Sequence, residues 1–264
     1  MNTKTHNRLK KALNLCLISL TFGTGFSYAE NSSPLVQPPH NLPAQTFLVG
    51  AWTGQASGDL VQKAIYPGQG IYRVRLNSDG SLLPLDVLKL SSPSWIVFSH
   101  DNKFAYTTNE NDAGSVTALK VGKQGKLSTI NQADSLGSQP THATITLDGK
   151  YLIAANYSVA PGHAAITLFP LRTDGAIGDA VQRIPFINGS HVVKGRQDGG
   201  HAHSVNMSPD GKMLFVADLG ADTVHAFSYH ADKSQPLTAE PGFDLHFKPG
   251  EGPRHMTFSA NGKF

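Results

Sequence analysis

A gapless twelve-residue repeat, a second series of tight turns alternating with it, and no sustained 3.6-residue periodicity after residue 29 together predict an all-β fold. Its unit is four antiparallel strands, and a repeat of about 45–60 residues built this way is the blade of a β-propeller. The twelve-residue motif occurs as Pro93–Phe104 (PSWIVFSHDNKF), Pro140–Tyr151 (PTHATITLDGKY), Ala202–Met213 (AHSVNMSPDGKM) and Pro253–Phe264 (PRHMTFSANGKF), aligned on Lys103, Lys150, Lys212 and Lys263. Each copy reads as a strand, an Asp-Gly or Asn-Gly type turn and the start of a second strand. The alternating turns are Leu76–Leu82, Lys120–Leu127 and Leu171–Ile177, with Tyr229–Leu237 as a degenerate copy.

The chain opens with a segment outside this pattern. Lys4, Arg8, Lys10 and Lys11 form a basic head, Ala12 to Phe22 is uncharged and mainly apolar, and Ser27-Tyr28-Ala29 is a small-residue cleavage site. Residues 1–29 therefore read as a secretory signal peptide, too short and wrongly flanked for a spanning helix, and the protein is expected to be exported to the periplasm. A lipid anchor at Cys16 is the rival reading, but Leu13-Asn14-Leu15 lacks the small residue such a site needs. Residues 30–44, rich in Pro, Asn and Ser, read as a flexible leader, which leaves 45–264 for the propeller.

Removing the signal changes the charge. The whole chain has 22 Lys+Arg and 19 Asp+Glu, and the signal takes four bases and no acid, leaving 18 against 19, a net −1. No basic footprint for nucleic acid or anionic lipid survives, so neither nucleic acid nor, after cleavage, a membrane is an expected partner. Cys16 leaves with the signal and takes disulfides, thiolate nucleophiles and Cys-bound metals with it. A large apolar core must then stabilise the fold.

The strands after each repeat turn also match: Ala105–Asn109, Leu152–Asn156, Leu214–Asp218 and, in a first incomplete unit, Phe47–Gly50. The inner strands start 47, 62 and 51 residues apart. The long interval contains Phe186–Gly200 (FINGSHVVKGRQDGG), a polar, Gly-rich insertion ahead of His201, and long loops are where function concentrates.

Several runs carry a family resemblance. Gly252-Pro253-Arg254-His255, Arg196-Gln197 followed by His201-Ala202-His203-Ser204, and Ser208-Pro209-Asp210-Gly211-Lys212 followed by Ala217-Asp218-Leu219-Gly220 resemble the bacterial seven-bladed lactonase propellers. These are the 6-phosphogluconolactonases related to carboxymuconate-lactonising cycloisomerases. The resemblance runs from about Phe47 to the last residue, and it implies a seven-bladed fold and a small-molecule lactone substrate. Two departures stand out: Gly200 occupies a position that is usually proline, and Gly162-His163 replaces a more typical Gly-Ser. Seven blades of about 50 residues need about 350, whereas about four blades and the start of a fifth are present, so the expectation is a truncated product or partial sequence. The open edge of such a propeller favours self-association.

Equivalent propeller positions sit at one height around the central channel, so the alignment selects candidates. The second inner-strand position holds Ser94, Thr141, His203 and Arg254, the third holds Trp95, His142, Ser204 and His255, and the end of the second strand holds Asn109, Asn156 and Asp218. A neutral histidine can take a proton from water attacking a carbonyl, and an arginine can hold the developing oxyanion. His203 or His201 is the expected base, Arg254 and Arg196 the anion holders, and Asp218 the residue orienting a histidine. Arg196, Gln197, His142 and His255 are expected to line the substrate site. The bland alternatives are hydrogen-bonded structural histidines and Asx turn caps at Asn109, Asn156 and Asp218. Trp52 and Trp95 are expected in blade-to-blade packing.

His201-x-His203 puts two imidazoles on one strand face, but no third ligand stands at telling spacing, and no metal or organic cofactor is expected. The chain lacks a Gly-x-Ser-x-Gly elbow, which argues against a serine hydrolase. The expected function is hydrolysis of a sugar δ-lactone. The alternatives are a non-catalytic periplasmic binding platform and an inactive fragment of the enzyme.

Overall fold

The structure is a computed structural model that describes residues 45–55, 65–158 and 162–264. The expected signal peptide and leader lie outside the described residues. The first blade contains β1 (Gln45–Gly50), and a small two-stranded ladder of β2 (Thr53–Gln55) and β3 (Ile65–Pro67) separates β1 from its partner β4 (Gly70–Leu76), which in turn pairs with β5 (Leu82–Lys89). Among the described residues the sheet order is β1-β4-β5, three strands, as expected for an incomplete first unit.

Three full blades follow. The second is β6 (Pro93–Phe98), β7 (Phe104–Asn109), β8 (Ser115–Val121) and β9 (Leu127–Asp134). The third is β10 (Ser138–Ile145), β11 (Tyr151–Ser158), β12 (Ile166–Pro170) and β13 (Gln182–Ile184). The fourth is β14 (Ala202–Met207), β15 (Met213–Asp218), β16 (Thr223–Tyr229) and β17 (Leu237–Ala239), with the two-residue β18 (Leu245–His246) also on β16. Within each blade the strands pair in chain order, antiparallel throughout.

The repeat encodes one hydrogen-bonded turn four times. The hydroxyl of Ser99, Thr146, Ser208 or Ser259 donates to the carboxylate or amide oxygen two residues on, Asp101, Asp148, Asp210 or Asn261, at 2.8, 2.6, 2.6 and 2.8 Å. That oxygen also accepts the backbone N–H of the aligned lysine, at 3.1 Å in every copy. The lysines owe their position to this backbone bond, since their ammonium groups stay largely exposed. The fourth turn closes like the others, but residues 253–258 join no sheet; in the earlier copies the partner of this segment is the strand that follows the turn.

Period-two alternation explains the core. Leu152 and Ala154 of β11 pack toward Tyr106, Val116 and Ala118 of the second blade, while Ile153 and Ala155 pack toward Val205, Leu214 and Val216 of the fourth. A strand buried on both faces must be apolar at successive positions, which is what the run LIAA supplies. Gly175, at φ +85°, is required twice over: the turn needs the left-handed conformation, and a Cβ there would lie 2.2 Å from the Phe104 ring of the neighbouring blade.

Candidate active site

The inner strands β6, β10 and β14 share a feature absent from the sequence pattern. Each carries a register shift at its start, between Pro93 and Trp95, Pro140 and His142, and Ala202 and Ser204. The unpaired residues are thus Ser94, Thr141 and His203. A bulge bends the strand and re-aims the side chains beside it, and bulges recur next to active sites. Cross-blade bonds hold these starts together: Thr141 Oγ1 donates to the His203 carbonyl at 3.0 Å, and Trp95 Nε1 to the Ala143 carbonyl at 2.9 Å.

Around the bulges lies a connected cluster. Arg254 Nε donates to His203 Nε2 at 2.8 Å, and the His203 ring meets His255 edge-on at 4.8 Å. Tyr157 stacks on His201 at 4.5 Å and meets His203 edge-on at 5.7 Å, and the Arg196 guanidinium lies 5.7 Å from its ring centre. His142 stacks on Trp95 at 3.9 Å. The structure therefore brings together His201, His203, Arg254, His255 and Arg196, with His142 on the neighbouring inner strand. At the other ends of the inner strands a groove of about 430 Å³ is lined by Phe98, Leu147 and Phe258 together with the polar His100, Thr144 and Asn206.

The two histidines proposed as base differ in their protons. His203 Nε2 accepts from Arg254, so its proton sits on Nδ1, which is buried with no hydrogen-bond partner among the described residues. Burial pushes its pKa down to about 3, with the Arg254 guanidinium and His255 adding to the effect. Burial takes His142 down to about 3 as well, and burial followed by Arg254 lowers His255. His201 Nδ1 lies 2.5 Å from the Tyr157 carbonyl, which can only accept, so Nδ1 carries the proton and Nε2 keeps its lone pair.

Two expected site residues turn inward. Asp218 does not touch His203; it is fully buried, and its Oδ1 accepts the backbone N–H groups of His201, Gly220 and Ala221 at 2.7, 3.0 and 3.1 Å. Asn109 and Asn156 are likewise buried and spend their amides on backbone carbonyls. The local turn cap describes Asp218, which accepts from Gly220 and Ala221, whereas Asn109 and Asn156 reach carbonyls of the preceding connection, Ser91 and Ser135, and tie neighbouring segments together. Gln197 is also not at the surface of the site. It is 1% exposed, accepts from the Val193 N–H, and donates to the Leu219 carbonyl at 3.0 Å and to Asp222 at 2.7 Å. Asp222 accepts in turn from the N–H groups of Gly250 and Gly252 at 2.8 and 2.7 Å. The Gln197–Asp222 pair thus ties the long insertion, which carries Arg196, to the segment that carries Arg254.

Sequence reasoning missed Glu110, Tyr157 and Trp52. Glu110 and Tyr157 follow Asn109 and Asn156 directly, so extending the alignment by one residue would have found them. Trp52, expected in packing, donates from Nε1 to Glu110 at 3.3 Å. Burial raises the Glu110 pKa, against the opposing pull of Ser94, Trp52 and the Arg254 charge. Among the described residues no cluster of three His, Cys, Asp or Glu is placed to hold a metal, and no helix is long and apolar enough to cross a membrane.

Four-stranded blades in sequence, each inner strand bulged at its start, define a β-propeller. The chain belongs to the lactonase family of seven-bladed β-propellers, whose description it matches over residues 48–264. It is 32% identical over 204 residues to a 6-phosphogluconolactonase of Formosa agariphila, an alignment covering 75% of this chain and 56% of that relative. Among solved structures it is similar to the periplasmic gluconolactonase PpgL of Pseudomonas aeruginosa, at 36% identity and a TM-score of 0.74, covering 83% of this chain and 60% of that one. A putative 6-phosphogluconolactonase of Bacteroides fragilis gives 35%, 0.71, 83% and 59%. The chain thus spans less than two thirds of the length of these relatives.

Proposed function

We propose that these blades supply the histidine–arginine part of a site that hydrolyses a sugar δ-lactone, with His201 as the general base. The observation that carries this is the His201 Nδ1 contact to the Tyr157 carbonyl, which fixes the tautomer and leaves Nε2 to accept a proton. His203 suits the role less well, because its lone pair is engaged by Arg254 and a base with a pKa of about 3 has little pull at neutral pH.

Water attacks the lactone carbonyl carbon as its proton passes to His201 Nε2. The carbonyl oxygen becomes an oxyanion, and the Arg254 guanidinium, with Nε anchored on His203 and its terminal nitrogens left to face substrate, stabilises the charge. Collapse breaks the ring C–O bond. The departing alkoxide takes the proton back from His201, giving the open-chain hydroxy acid. Arg196, set over Tyr157, holds substrate hydroxyl or anionic groups.

The substrate we favour is the unphosphorylated aldonolactone, and the location the periplasm. The basic head and apolar run of residues 1–29 and the periplasmic gluconolactonase relative support both. The test is turnover of glucono-δ-lactone and its 6-phosphate by the wild type, His201→Gln and His203→Gln. His201→Gln is expected to lose at least about 100-fold in kcat, and His203→Gln to act mainly on KM through Arg254. Unchanged kcat in His201→Gln would remove the base assignment.

A further inference from the structure

One group of titratable side chains lies behind the site and is not used by that chemistry. His225 on β16 places Nδ1 3.0 Å from Asp244 Oδ2 and Nε2 3.5 Å from Asp218 Oδ2. Its ring packs against Phe186, the first residue of the long insertion, at 4.5 Å. Asp218 Oδ1 is fully engaged by three backbone N–H groups, His201 among them. Asp218 Oδ2 is buried and has no hydrogen-bond partner among the described residues, so its charged contact is His225. A buried carboxylate needs such a partner to stay ionised. Gly200 makes room for the arrangement: a Cβ there would lie 2.7 Å from Phe186 Cβ and 3.0 Å from Asp218 Oδ2.

We propose that His225, set between Asp218 and Asp244, is a positioning residue for His201. It pairs with Asp218 Oδ2, the oxygen left over by the backbone donors, and so holds in place the carboxylate whose Oδ1 fixes the His201 backbone N–H, and with it the ring set on the Tyr157 carbonyl. The link to catalysis rests on His201 being the base, whereas the link from His225 to the His201 amide does not.

The charged groups facing His225 are Asp218 from β15 and Asp244 from the segment before β18, and from the insertion the uncharged Phe186 packs on its ring. Burial alone would lower the pKa of His225, but the two carboxylates outweigh it and raise it above 6.5. A raised histidine contributes its stabilisation in full below the unfolded value of about 6.5 and loses it as pH rises through the folded pKa. The His201 anchor should therefore loosen on the alkaline side.

The experiment is a histidine-ring NMR titration with amide hydrogen exchange on the full chain, for the wild type and His225→Gln. His225 is expected to titrate above 6.5. The His201 amide, corrected for intrinsic rate, should lose at least about tenfold of its protection as His225 deprotonates. His225→Gln should show the low protection at every pH while amides of β7 keep theirs, and its kcat should fall with KM little changed. A His225 pKa at or below the ordinary value, or His201 protection that ignores the titration, would overturn the proposal. Should His225→Gln not fold, the wild-type series still decides. A wild type without lactone turnover would count against the base assignment alone, because the exchange result stands independently.

Discussion

The Arg254 guanidinium sets the electrostatics of the site at the scale of single residues. It lowers the pKa values of His203 and His255, and it draws Glu110 down against the larger upward effect of burial. Removing a positive charge makes a second positive charge easier to form and a negative one harder. Arg254→Ala should consequently raise all three pKa values, which ring and carboxylate NMR titrations would read directly. Lactone hydrolysis should fall about 10²–10³-fold in the same variant, the usual effect of losing an oxyanion donor. An unchanged Glu110 would mean that its carboxylate does not feel Arg254.

At the scale of elements, the long insertion and the segment before Arg254 are two irregular stretches joined through one buried carboxylate. Burial would push the Asp222 pKa up, but the N–H groups of Gly250 and Gly252 and the Gln197 amide bring it below the ordinary value. Asp222→Ala leaves those donors without their acceptor and should cost about 3 kcal/mol, the scale of a lost charge-assisted bond plus unsatisfied groups. The loss should be local as well as global. Limited proteolysis within residues 186–200 is expected to accelerate in the variant, while cleavage in the second blade stays slow. Equal acceleration everywhere would contradict a clamp that acts on these two stretches.

At the scale of the whole molecule, two histidines are buried in their neutral form between blades. His142 and His203 both have folded pKa values near 3, below the unfolded value of 6.5, so the unfolded chain binds more protons between those limits. The contribution of these two histidines is therefore complete above about pH 6.5 and falls with acidification by up to about 1.4 kcal/mol per pH unit for each. Denaturant unfolding at pH 7, 6 and 5 checks this, and His142→Gln should flatten the slope by one histidine's share. A wild type whose stability is level across that range would show that these rings are not held neutral by the fold.

Much of the architecture was legible because turn chemistry and period-two alternation are local. The four Ser/Thr–Asp/Asn turns, the three full blades and the incomplete first one all follow from short-range bonds that recur at fixed spacing. The cluster was legible in part: aligning the inner strands picked out His203, Arg254, His142 and His255, and the insertion pointed to Arg196 and His201. Which way a side chain faces was not. Gln197 and Asp218 look like site residues in the sequence, yet both are buried and bond backbone groups and the side chains of Asp222 and His225, while Glu110 and Tyr157 sit one step outside the aligned positions. The sequence by itself determined an all-β chain of repeated hairpins with its polar candidates near one end of the inner strands. Only the tertiary structure decided their roles. Bulges, tautomers and burial depend on atoms from other blades, and a histidine's pKa follows from what surrounds it more than from its place in the chain.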